Sequence, residues 1–124
     1  MPKTSPPEIG ASPPRHESPA KVAGREVYAA DFHQPGMLWA GARRAGVAHA
    51  RLLAIDTAAA RDLPGVRAVL TAADIQGSNR QGVIRKDQPV LVDERVRHAG
   101  DALALVVATS PEVLEQALAL LRPE

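Results

Sequence analysis

Residues 102–121 read ALALVVATSPEVLEQALALL, and the fold turns on them. The opening run, Ala102 to Ala108, is apolar without a break, the pattern of a strand buried on both faces. Ser110 then stands as a helix N-cap, and Pro111 takes the first helical position, where its missing N–H costs nothing. Glu112 lies at the positive end of the helix dipole. Val113, Leu114, Ala117, Leu118, Leu120 and Leu121 recur at helical spacing and make one broad apolar face. A buried strand followed by an amphipathic helix, with several short strands upstream, predicts an α+β (mixed α/β) domain.

Upstream, the strand signals are short and well punctuated. Val66-Arg67-Ala68-Val69-Leu70 alternates apolar and polar, as a half-buried strand does. It is preceded by Pro64-Gly65 and followed by Thr71-Ala72-Ala73-Asp74, one helical turn. Asp56-Thr57 caps a short Ala-rich helix through about Asp62. Arg51 to Ile55 and Met37 to Ala42 read as strands, the latter after a Gln34-Pro35-Gly36 type II turn. Val27-Tyr28-Ala29 is a further short strand candidate, and Pro89 to Val92 an edge strand. Gln76 to Pro89 reads as a long polar loop, a kind that is usually functional or mobile. Met1 to Pro19 carries Pro2, Pro6, Pro7, Pro13, Pro14 and Pro19, and reads as an extended arm without helix or central strand. The expected division is therefore an arm over residues 1–19 and one domain over 20–124.

Composition removes whole classes of chemistry. The 124 residues include no cysteine, so thiolate nucleophiles, disulfides, iron–sulfur ligation and thiolate zinc sites are excluded within this chain. With 15 Lys and Arg against 14 Asp and Glu, the formal charge of +1 sets up no long-range field toward nucleic acid or a membrane surface. No apolar run nears the roughly 20 residues of a membrane helix, and the N-terminus has no signal-peptide pattern, so the expected location is cytoplasmic. Neither a Gly-rich phosphate loop nor a Gly-x-Ser-x-Gly elbow is present. His16, His33, His49 and His98 stand in no metal-ligand spacing and read as surface or hydrogen-bonded histidines. Arg43, Arg44, Arg51, Arg80, Arg85 and Lys86 are interleaved with acids and read as a solvated face. Asp101, after Gly100, reads as a turn residue rather than a catalytic acid. No catalytic, cofactor-binding or metal-binding residue is expected.

Taken in order, the segments resemble the molybdenum-binding subunit of the xanthine dehydrogenase and aldehyde oxidoreductase family. Pro14 to Asp31, with Lys21-Val22-Ala23-Gly24, is similar to its opening. Pro35 to Ala40 is similar to the strand that follows, and Ala48-His49-Ala50-Arg51 to Asp56 to its His-Ala-Arg segment. Leu63-Pro64-Gly65-Val66 to Ile75, Gln88 to Leu91, Val96-Arg97-His98 and Gly100-Asp101 complete the series. The resemblance covers about residues 10 to 122. Two family prolines are replaced, at Arg44-Ala45-Gly46 and at Gly100-Asp101-Ala102, which is expected to loosen both loops.

The resemblance implies the α/β hammerhead domain of a molybdenum hydroxylase, acting as scaffold or small subunit. The alternative is a stand-alone binding or regulatory module that reuses the fold without redox activity. The family's molybdenum-cofactor contacts and catalytic glutamate follow the last helix, beyond Glu124, so the chain is expected to bind no cofactor and not to catalyse in isolation. Molybdopterin, iron–sulfur clusters and FAD are implied for the assembled enzyme. The implied partners are a large molybdopterin-binding subunit and an iron–sulfur subunit. Arg44, His49, Arg51, Gly100 and Asp101 are the expected interface residues.

Overall fold

The computed structural model describes Gly10, Ser12 and Pro14–Glu124, so most of the expected arm lies outside the described residues. The chain divides into two units, Met1–Gln34 and Pro35–Glu124. In the first, helix α1 spans Ser18–Val22 with Pro19 in its first turn. The expectation of no helix before residue 20 therefore fails at its last two residues, because a first-turn proline gives up no hydrogen bond. The expected strand at Val27–Ala29 is instead a 3₁₀ turn over Ala29–Asp31. There the Asp31 carboxylate accepts the Tyr28 N–H at 2.8 Å, and the Asp31 N–H reaches the Tyr28 carbonyl at 2.9 Å. Such local bonds take the place of a ladder, and among the described residues no strand pairs with this segment.

The second unit carries the strands β1 (Trp39–Arg44), β2 (Ala50–Arg51), β3 (Ile55–Asp56) and β4 (Val66–Leu70), with helix α2 (Ala58–Arg61) between the last two. Then come β5 (Arg80–Gln81), β6 (Gln88–Pro89), β7 (Arg95–Val96), β8 (Ala102–Ala108), helix α3 (Pro111–Leu120) and β9 (Arg122–Pro123). The uninterrupted apolar run becomes β8, the centre of a three-stranded antiparallel sheet ordered β1-β8-β4. Trp39 pairs with Ala108 and Ala42 with Leu105 on one side, and Leu70 with Leu105 on the other. The single strand expected from Arg51 to Ile55 is split: β2 pairs with β7 and β3 with β9, each antiparallel. Leu52 and Leu53 in between spend their N–H groups on the Glu94 and Glu124 carbonyls.

Successive residues of a strand face opposite ways. On one side of β8, Ala104, Val106 and Ala108 are fully buried, the first two in a core with Val69, Ala60 of α2, Ala117 of α3 and Leu121. Leu103 points the other way, into a second, smaller cluster with Val92 and Val96. Each fully buried Val or Leu here contributes about 1.5–3 kcal/mol of transfer free energy. Ser110 caps α3 as expected, its hydroxyl accepting the Val113 N–H at 3.3 Å. The sheet lets α3 close because position 41 is glycine; a Cβ there would lie 3.2 Å from Leu114 and 3.3 Å from Leu118.

Candidate interface site

The hydrogen bonds of the second unit converge on the turn His98–Asp101, which leads into β8. The Asp101 N–H closes it on the His98 carbonyl at 3.1 Å. Asp101 is only 9% exposed, and its Oδ2 accepts the N–H groups of Arg97 at 2.7 Å and His98 at 3.2 Å. Its Oδ1 lies 2.8 Å from His98 Nε2. The other ring nitrogen, Nδ1, accepts the Gly100 N–H at 3.0 Å. These two contacts assign the imidazole as its Nε2–H tautomer and leave neither nitrogen free for proton transfer to a substrate. Asp101 is thus the turn residue its position after Gly100 suggests. Burial by itself would raise its carboxyl, but the Arg97 and His98 N–H groups and the Arg97 charge outweigh it and hold the carboxyl below its usual value.

Arg44 reaches across from the end of β1, and its Nη1 donates to the Gly100 carbonyl at 2.9 Å. Beside it, the Ala45 N–H donates to the Asp101 carbonyl at 2.9 Å and the Gly46 N–H to the Ala99 carbonyl at 3.0 Å. The loops at 44–46 and 98–102 are therefore stitched together, not loosened by the missing prolines. Gly46 has φ +70°, which a proline cannot adopt, and its N–H makes a bond a proline lacks. Of the five expected interface residues, Arg44, Gly100 and Asp101 form this one knot. His49 precedes β2 and Arg51 lies on it, opposite Arg95 of β7. Both are exposed, and among the described residues neither side chain makes a hydrogen bond or ion pair.

The segment read as a long polar loop is an ordered hairpin, with Arg80 paired to Pro89 and Gln81 to Gln88. Its base is fixed by Asn79, whose Nδ2 donates to the Leu91 carbonyl at 2.7 Å while Oδ1 accepts the Val90 and Leu91 N–H groups at 3.1 and 3.0 Å. The amide thus stands in for one more rung of the ladder. Arg80 adds an ion pair to Asp93 at 2.8 Å and holds that carboxyl below its usual value. From the sequence, Asn79 and Arg97 have no site role and His98 reads only as a surface or hydrogen-bonded histidine, since their roles depend on partners distant along the chain or on backbone geometry.

Two hollows flank these elements. One, of about 380 Å³, is lined chiefly by Leu52, Leu53, Ile55, Val92 and Leu103, with Asn79, Asp93 and Thr71 as its polar side chains. All three are engaged, Asn79 and Asp93 as above and the Thr71 hydroxyl on Asp74 Oδ2 at 3.0 Å. The other, of about 350 Å³, lies on the sheet face turned away from Ala104 and Val106, between Ala42, Leu70, Ile75, Val90 and Leu105, with Arg44 at its rim. Leu70 and Val90 are exposed there, and Leu105 and Val107 are half-buried. Among the described residues no three His, Asp or Glu side chains gather as metal ligands, and no helix is long and apolar enough to cross a membrane.

Residues 23–123 match the family model described as aldehyde oxidase and xanthine dehydrogenase, a/b hammerhead domain. The chain is 44% identical over 110 residues to the nicotinate dehydrogenase large molybdopterin subunit of Eubacterium barkeri, covering 89% of this chain and 26% of that one. It is 39% identical over 113 residues to the aldehyde oxidoreductase of Megalodesulfovibrio gigas, covering 82% and 12%. Among solved structures, the reconstituted CO dehydrogenase from Oligotropha carboxidovorans superposes with a TM-score of 0.84 at 37% identity, covering 93% of this chain and 15% of that one. The chain thus spans about a quarter or less of the length of these relatives.

Proposed function

The chain belongs to the aldehyde oxidase and xanthine dehydrogenase family as its a/b hammerhead domain, and from that premise we propose that it serves as a docked scaffold in a molybdenum-dependent oxidoreductase. The observation that carries this is the sheet face opposite α2 and α3. Its apolar residues, Leu70, Leu105 and Val107 with Val90 beside them, are left half-covered or open, with Arg44 at the edge. A sheet with helices on one side only needs a second cover for its other face. The molybdopterin-binding part of the enzyme supplies that cover. Arg44, Gly100 and Asp101 fix the rim of the contact, and His49 and Arg51 extend it along β2.

We place molybdopterin on the partner and not on this chain. The polar side chains around the hollow of about 380 Å³, Asn79, Asp93 and Thr71, are spent on backbone, on Arg80 and on Asp74, which supports that placement. No reaction step is therefore assigned to this chain. Molybdopterin, iron–sulfur centres and FAD belong, in this reading, to the partner subunits of a cytoplasmic enzyme.

The test is purification of the assembled enzyme through a tag on this chain, with molybdopterin identified by its fluorescence after oxidation. Leu70→Glu and Val90→Glu, both on exposed side chains, should leave the melting temperature of the chain unchanged and abolish recovery of the molybdopterin-binding part. A wild-type chain that purifies alone, or variants that assemble normally, would refute the reading.

A further inference from the structure

Val83 and Ile84 are the most exposed large apolar side chains among the described residues, at 104% and 95%. They sit side by side at the tip of the β5–β6 hairpin, beyond the rungs Arg80–Pro89 and Gln81–Gln88. Two β-branched apolar residues fully in water are an expense with no return inside this domain. The hairpin below the tip is held in place. Asn79 and the Arg80–Asp93 pair fix its base, and the Arg97 guanidinium donates to the Asp87 carbonyl at 3.3 Å. Gly82, at φ +145°, makes the bend, a conformation that a side chain would strain. Arg85 and Lys86 follow immediately, and neither has a partner among the described residues.

We propose that the hairpin Arg80–Pro89 is an insertion finger, whose Val83 and Ile84 enter an apolar socket rimmed by carboxylates on the molybdopterin-binding part of the enzyme. The proposal rests on the docking reading above and adds a second contact to it. The pinned base means that little conformational entropy is lost on insertion. The unpaired Arg85 and Lys86 call for acidic groups at the mouth of the socket. A lipid surface would be gripped too weakly by this tip, since it offers two small apolar side chains, no aromatic residue and only two cations.

Because the chain has no cysteine, Val83→Cys places a unique thiol at the tip. In the assembled enzyme its alkylation, followed in the peptide that contains residue 83, should run at less than about a tenth of the rate of an unstructured peptide thiol. Val83→Ser/Ile84→Ser should leave the fold intact and weaken assembly about a hundredfold. Arg85→Glu/Lys86→Glu should weaken it further as salt is lowered, by turning attraction into repulsion. If the molybdopterin-binding part assembles but residue 83 alkylates at the peptide's rate and the serine variant assembles normally, the finger is refuted and docking stands. If no such part is held at all, both fail. Sedimentation of the isolated chain with phosphatidylserine vesicles, lost in the serine variant, would overturn the protein socket in favour of a membrane.

Discussion

Asp101→Asn keeps the side-chain shape and removes only the charge, so it isolates what the carboxylate does in the His98–Asp101 turn. The amide oxygen can still accept the Arg97 and His98 N–H groups. Its NH₂ group, however, then faces His98 Nε2–H, donor against donor, where 2.8 Å now separates the ring from a carboxylate oxygen. The ring cannot move its proton to Nδ1 without giving up the Gly100 N–H. Losing one charge-assisted bond and weakening two others costs about 2 kcal/mol near pH 7, at the modest end because water screens the exposed His98 edge. For a domain of this size that lowers Tm by roughly 10 °C. The pH dependence follows from the direction of the shift. The folded state holds the Asp101 carboxyl below its usual value, so the contribution is complete above the unfolded value of about 3.9 and is lost as pH falls through the lower, folded one. Wild type and variant should therefore converge as pH falls through the lowered folded value, below which the protonated acid resembles the amide. Thermal or urea unfolding followed by circular dichroism at several pH values reads this directly. A variant that melts within about 2 °C of wild type near pH 7, or a gap that persists undiminished into acid, would refute the reasoning.

Three further substitutions probe the other elements. Asn79→Ala removes three hydrogen bonds from the hairpin base and should cost about 2–3 kcal/mol locally, seen as faster amide exchange at Val90 and Leu91 with a smaller loss of global Tm. Gly65→Ala places a Cβ 2.9 Å from Thr109 Oγ1 at a φ of +96° and should lower the urea midpoint by the equivalent of about 2 kcal/mol without changing the slope. Leu121→Ala, at a side chain 2% exposed, should cost about 2–5 kcal/mol in the same assay.

What could be read from the residues was whatever is local. The apolar run at 102–108, the Ser110-Pro111 start of α3 and the alternation at 66–70 each carry their own period or cap, and each became the expected element. The errors lie where long-range partners decide. Arg51 to Ile55 looks like one strand, but it divides because its two ends pair with different strands, β7 and β9. Residues 76–89 look like an open loop because two-residue strands have no visible period, and the carboxamide of Asn79 does work that backbone does elsewhere. At the candidate interface site, the turn role of Asp101 was legible from Gly100 before it. Its clasp on His98 was not, since that depends on which way an imidazole turns. Arg44 could be picked out only through the resemblance, and the carbonyl it reaches belongs to the turn that leads into the neighbouring strand, 56 residues on.

The place of β8 in the sheet has a consequence for biosynthesis. Both β1 and β4 find their only partner in the three-stranded sheet there, so every upstream strand of that sheet must wait for residues 102–108 to leave the ribosome. Until then the apolar segments of the emerging chain have no centre to gather on, and their unpaired edges are open to wrong neighbours. A ribosome stalled just before Ala102 should therefore display a protease-sensitive nascent chain, and one stalled after the α3 segment has cleared the exit tunnel a resistant one.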